Sequence, residues 1–97
     1  MVSLNQCPQK TDDVVSRKIE DQFILIPIRS NVADLDSIYT LNETGARIYE
    51  LIDGQKTLGQ IKAALVQEYD VEETILEKDL LEIANLLKSI GGIQWKN

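Results

Sequence analysis

Residues 35–54 read Leu35-Asp36-Ser37-Ile38-Tyr39-Thr40-Leu41-Asn42-Glu43-Thr44-Gly45-Ala46-Arg47-Ile48-Tyr49-Glu50-Leu51-Ile52-Asp53-Gly54, and their pattern decides the fold. Half-apolar alternation over residues 35–41 predicts a strand. From Asn42 onward the period changes: Gly45, Ile48, Tyr49 and Ile52 recur at helical spacing. Asn42 suits the N-cap, because its side-chain oxygen can accept from a free N–H of the first turn. Asp53-Gly54 closes the helix, since glycine takes a left-handed conformation cheaply.

Working outward, Val14-Val15-Ser16-Arg17-Lys18-Ile19 and Phe23-Ile24-Leu25-Ile26-Pro27-Ile28 are β-rich runs around Glu20-Asp21-Gln22, the pattern of a hairpin. Pro27 cannot donate to a ladder and belongs at a strand end or on an unpaired side. The second run is apolar on both faces, which calls for cover from the N-terminal segment, a loop or a partner. Downstream, Thr57-Leu58-Gly59-Gln60 has the capping-box pattern, with Leu58, Ile61, Leu65 and Tyr69 as the buried stripe. Thr74-Ile75-Leu76-Glu77 reads as a second box, followed by Leu76, Leu80, Ile83, Leu87 and Ile90 up to Gly91-Gly92. On the wheel of this last helix Asp79 and Leu86 flank the stripe on one side, Leu81 and Ala84 on the other. Its apolar arc is wider than one neighbouring face needs. The expected fold is α+β and winged helix-turn-helix-like: a three-stranded antiparallel sheet followed by helices near 43–53, 57–69 and 74–90.

Residues 1–13 are polar and aperiodic and read as a loosely ordered tail ahead of one domain, 14–97. Cys7, the lone cysteine, then reads as an exposed incidental thiol. With 43% hydrophobic and 27% charged residues the composition is that of a globular domain. No apolar run approaches the roughly 18 residues of a membrane span, and the N-terminus lacks a signal-peptide pattern, which predicts a cytoplasmic protein without membrane contact.

The chain has no histidine, which removes the commonest general base and metal ligand together. Paired carboxylates such as Glu72-Glu73 read as exposed, whereas an acid–base dyad needs one carboxyl in an apolar pocket. Gly91-Gly92 ends a helix, while phosphate cradles open one. No enzyme, cofactor or metal is expected. The net charge is −6, and residues 67–97 carry seven acids against Lys78, Lys88 and Lys96. Such a surface repels phosphate backbones and favours basic partners, so duplex nucleic acid is not an expected ligand despite the winged-helix pattern.

A third strand with a free outer edge exposes unpaired backbone groups, and the apolar helix beside it can receive side chains from an added strand. Four or five backbone bonds at roughly 1 kcal/mol each and two or three anchors at about 2 kcal/mol each exceed an association cost of several kcal/mol. Micromolar or somewhat tighter peptide capture is within reach.

The run Tyr39-Thr40-Leu41-Asn42-Glu43-Thr44-Gly45-Ala46, then Ile48, then Ile52-Asp53-Gly54-Gln55-Lys56-Thr57-Leu58, then Ile61, Leu65 and Tyr69, and finally Asp79, Leu87 and Gly91, resembles the PqqD-like family, named after pyrroloquinoline quinone biosynthesis. The resemblance covers about residues 14–95. It implies a RiPP recognition element, a module that captures the leader of a ribosomally made precursor peptide and presents it to a modifying enzyme, often a radical S-adenosylmethionine protein. In such modules the leader adds beside the third strand and packs on the third helix. Carried over, the edge comprises Asp36, Ser37, Ile38, Tyr39 and Thr40, and the groove draws on Leu80, Ile83, Leu86 and Leu87. Either flank of the helix can face that groove. In the quinone-pathway member a Pro-Glu pair tends to follow the apolar strand; Pro27 is followed here by Ile28, which speaks against that pathway and leaves the broader family intact. The alternative reading is a winged-helix protein-interaction or transcription-regulatory module. Both monomer and dimer fit the sequence.

Overall fold

The computed structural model describes residues 3–28 and 38–96. Eight elements follow in order: β1 (Pro8–Lys10), β2 (Val14–Ile19), β3 (Gln22–Pro27), β4 (Tyr39–Leu41), α1 (Glu43–Leu51), α2 (Leu58–Glu68), α3 (Glu73–Ser89) and β5 (Ile93–Trp95). The strands make two antiparallel sheets, one of order β2-β3-β4 and one two-stranded ribbon pairing β1 with β5. The three-stranded sheet and the helical trio after it are those expected from the sequence.

β2 and β3 join through Glu20-Asp21, with Glu20 in the left-handed region at φ 54°. Pro27 ends β3, opposite Val14, and the next N–H, from Ile28, donates to the Asp13 carbonyl at 2.9 Å. The ladder therefore loses no bond to the proline. Register places Val14, Phe23, Leu25, Tyr39 and Leu41 on one face, and this face meets the helices. Leu25, Ile48, Leu58, Ile61, Leu65, Leu76, Leu80 and Leu87 are fully buried and make the centre of the core.

Caps explain where the helices begin. Asn42 Oδ1 accepts from the Gly45 N–H at 2.8 Å. At α2 the Thr57–Gln60 box is complete in both directions. The box expected at Thr74 does not form: α3 starts one residue earlier, after Glu72, and no side chain caps it. Its first turn instead carries the acid Glu73 near the positive end of the helix dipole, and an ion pair to Lys62 holds it. The buried stripe of α3 also differs from the expected one, since Ala84 rather than Ile83 joins Leu76, Leu80 and Leu87. A small residue lets the backbone of α3 approach the core, and Ile83 turns to its rim.

The N-terminal segment is not the loose tail that its composition suggested. The Leu58 N–H donates to the Gln6 carbonyl and the Gly59 N–H to the Leu4 carbonyl, both at 2.9 Å, and β1 then pairs residue for residue with β5. Two donors left free at the start of α2 are thereby satisfied. Cys7, expected to be exposed, is buried as a result, with its carbonyl accepting from the Lys96 N–H at 2.8 Å. Pro8, Gln9 and Lys10 carry no strand signal of their own; pairing partners about 85 positions away supply it. The outer face of β3 carries Ile24 and Ile26. Both are half-buried there, and Ile19 stays exposed.

Candidate functional site

β4 is an edge strand. It pairs with β3 through Tyr39 opposite Leu25, Thr40 opposite Ile24 and Leu41 opposite Phe23, and among the described residues no strand lies on its other side. Leu41 is buried, Tyr39 is half-buried, and Ile38 and Thr40 are exposed. Asp36 and Ser37 lie outside the described residues.

The four helical residues assigned to the groove divide into two pairs. Leu80 and Leu87 are fully buried, so they belong to the core and present no side chain to a ligand. This corrects the sequence reading: on a stripe with alternating four- and three-residue steps, core and rim leucines look alike until the neighbouring helices fix the rotation. Ile83 and Leu86 are half-buried and lie at the surface of the core.

A groove of about 170 Å³ opens where the β4–α1 junction approaches α3, lined by Asn42, Gly45, Asp79, Glu82 and Ile83. Asp79, Glu82, Ile83 and Leu86 sit at i, i+3, i+4 and i+7, a single stripe over two turns. The helix flank beside β4 is therefore the one bearing Asp79. Gly45 allows the close approach: a Cβ there would lie 3.1 Å from Ile83 Cδ1 and 3.2 Å from Asn42 Oδ1. Asn42 and Gly45 thus do two things, starting α1 and shaping the groove floor. The sequence reading singled them out for the first only; the 79/82/83/86 spacing was the signal for the rest.

Charge is distributed unevenly around the helices. Lys62 Nζ reaches Glu73 at 3.1 Å and Glu77 at 3.0 Å, and these carboxylates hold its ammonium above the ordinary lysine value, Glu77 contributing most. Arg47 forks onto Glu68 at 2.8 and 2.7 Å, which keeps the Glu68 carboxyl below its ordinary range. Asp53 accepts from the Lys56 ammonium at 2.7 Å and from the N–H groups of Gln55 and Lys56, so its carboxyl is also held low. Asp79 and Glu82 make no ion pair or hydrogen bond among the described residues.

A larger open concavity of about 570 Å³ lies on the other side of Asn42, between the hairpin tip and α1, lined by Lys18, Phe23, Arg47, Glu50 and Tyr69 among others. Its charges are partly spent on one another, Arg47 being engaged by both Glu68 and Glu50. Leu41 of β4 lies in its wall as well. The smaller groove meets the strand at Asn42, has α3 as its far wall and keeps its two carboxylates unengaged, and that makes it the candidate site for an extended chain.

Among the described residues no three Cys, Asp or Glu side chains gather as a metal ion would need, and no helix is long and apolar enough to cross a membrane. The family model described as coenzyme PQQ synthesis protein D (PqqD) matches residues 22–93. TbiB1 in complex with the TbiA(beta) leader peptide is similar in structure with a TM-score of 0.69 and 26% sequence identity, covering 89% of this chain and 94% of that one. Lasso peptide synthetase B1 complexed with the leader peptide is similar with a TM-score of 0.71, covering 91% of this chain and 98% of that one; at 22% identity this likeness concerns the fold alone. Curated protein sequences give no match.

Proposed function

The chain belongs to the PqqD family, and from that membership we propose that it is a non-catalytic peptide-binding chaperone: it captures the leader of a ribosomally synthesised precursor peptide by strand addition along β4 and presents the peptide to a modifying enzyme of the radical S-adenosylmethionine type. The observation that carries the proposal is the unpaired edge of β4, which runs into Asn42 at the rim of the groove that holds Ile83. A leader strand there satisfies the free backbone groups of Ile38 to Thr40 and sets alternate side chains against Ile83 and Leu86, the β-augmentation mode of recognition. The likeness to a TbiB1 complex that contains a leader peptide supports the same reading.

The chemical contribution is proximity. A held leader raises the effective concentration of the attached core peptide at the active site of another chain, which accelerates modification without any reactive group here. A duplex-binding role is disfavoured, because on α3 the acids Glu73, Glu77, Asp79 and Glu82 outnumber Lys78 and Lys88, the cations that phosphates would need.

The test is amide shift mapping while titrating the leader encoded by a precursor frame neighbouring the gene. Perturbations should concentrate at residues 38–42 and along Asp79, Ile83 and Leu86. Shifts confined to α2 or to residues 3–13 would sink the reading. In parallel, the neighbouring enzyme should turn over the full precursor faster in the presence of this protein, and turnover by this protein alone would overturn the adaptor role.

A further inference from the structure

We propose that the groove between α1 and α3 is a specificity subsite for a lysine or arginine side chain of the bound peptide, with Asp79 and Glu82 as its acceptors. The inference rests on the peptide-binding reading above and adds the chemistry of the residue that must enter. At about 170 Å³ the groove is below the roughly 300–1,000 Å³ of sites that enclose small molecules, and matches a single long side chain better. Its walls are of two kinds. Ile83 and the bare backbone of Gly45 form an apolar floor, and the two carboxylates stand on one side of it. A lysine or arginine has the matching anatomy, an aliphatic stem that lies on apolar surface and a cationic head that reaches polar partners.

The charges within this chain point the same way. Glu50, Glu68, Asp53, Glu73 and Glu77 are each met by a cation of the protein; Asp79 and Glu82 are not, and although Asp12, Glu20, Asp21, Glu43, Asp70 and Glu72 are also without one, only Asp79 and Glu82 line this groove. Lys78, one turn before Glu82 on the same helix, makes no ion pair with it. Two adjacent acceptors left open beside a free strand edge favour a cation brought by the ligand, and they reject a leader that places an acid there. A divalent metal ion is a poor fit, since calcium needs six or more oxygen ligands and the groove offers two carboxylates and one side-chain amide.

The experiment selects a library of random linear peptides, displayed on phage, against the intact protein and against the Asp79→Asn/Glu82→Gln double variant. Winning sequences are then synthesised and titrated by calorimetry. Peptides selected on the unaltered protein should share a lysine or arginine at a fixed distance from their apolar residues. Replacing that cation by glutamine should weaken binding about tenfold on the unaltered protein and leave the double variant indifferent. Added salt should reproduce much of the loss. Selected peptides without a shared cation, or a cation whose replacement weakens both proteins equally, would overturn the subsite while leaving peptide capture standing. Failure to enrich any peptide, together with failure to bind the neighbouring leader, would remove the peptide-binding reading and the subsite with it.

Discussion

Two stretches of α3, Glu73 to Glu77 and Asp79 to Glu82, carry the same kinds of residue and do different things with them. Near the start, Glu73 and Glu77 converge on Lys62 of α2, and the charges tie two helices together. Further along, Asp79 and Glu82 have no cation of their own and border a groove whose floor is the half-buried Ile83. One stretch closes upon its neighbours, and the other is left open. Whether an acidic residue serves cohesion or recognition is thus decided by what the adjoining element presents: α2 offers a lysine, while the β4–α1 junction offers a glycine and a cap.

The largest effect should come from the core beneath both stretches. Leu80→Ala, at a fully buried position, should cost about 2–5 kcal/mol of stability through lost burial and a residual cavity, read from urea midpoints. Ile83→Asp, three residues further along and on the open side, should instead leave the fold nearly intact and weaken leader binding by about 2 kcal/mol or more, because peptide burial would desolvate a charge. If Ile83→Asp unfolds the protein as Leu80→Ala does, the division between core and groove is wrong. Gly45→Ala should change stability by less than about 1 kcal/mol, as improved helix propensity offsets the pressure on Ile83, yet it should raise the leader Kd measurably by narrowing the groove.

The smallest effect belongs to the closed stretch. Its carboxylates hold the Lys62 ammonium above the ordinary value, so the folded state binds more protons than the unfolded chain in that range. The stability it contributes is fully present below the ordinary lysine value, about 10.4, and is lost as pH rises through the folded value. Urea midpoints followed from pH 9 upward should therefore fall more steeply for the unaltered protein than for Lys62→Met. Parallel curves would show that the contact on α2 contributes nothing measurable.

These contrasts also mark what was legible in the residues. Local signals were strong where a short segment determines its own geometry: Asn42 and Thr57 cap as read, and the hairpin and three helices lie where alternation and helical period put them. Rotation of a helix about its axis is a different matter. Leu80 and Ile83 are equally apolar, and only the approach permitted by Gly45 and Ala84 sends one inward and the other to the rim. The free strand edge was legible at Tyr39 to Leu41, while the groove's polar lining was not, since a carboxylate's partner is set by tertiary packing. Residues 3–10 were the least legible of all, because their order comes from a distant strand and from the open end of α2.

That last pairing has a kinetic consequence. The β1–β5 ribbon joins segments separated by nearly the whole chain, so its closure carries the largest loop entropy in the molecule and returns only a few backbone bonds. It is the natural candidate for the last foldon to zip and the first to open, although its opening uncovers Pro8 and Ile93, both fully buried in the closed fold. Cys7 continues the ladder by one residue, its carbonyl accepting from the Lys96 N–H, and should be sealed from solvent only while the ribbon is shut. Under native conditions, then, the rate at which a thiol reagent labels this protein would be a stopwatch on the ribbon: slower labelling with a stabilised ribbon, and no dependence on whether the β4 edge is occupied.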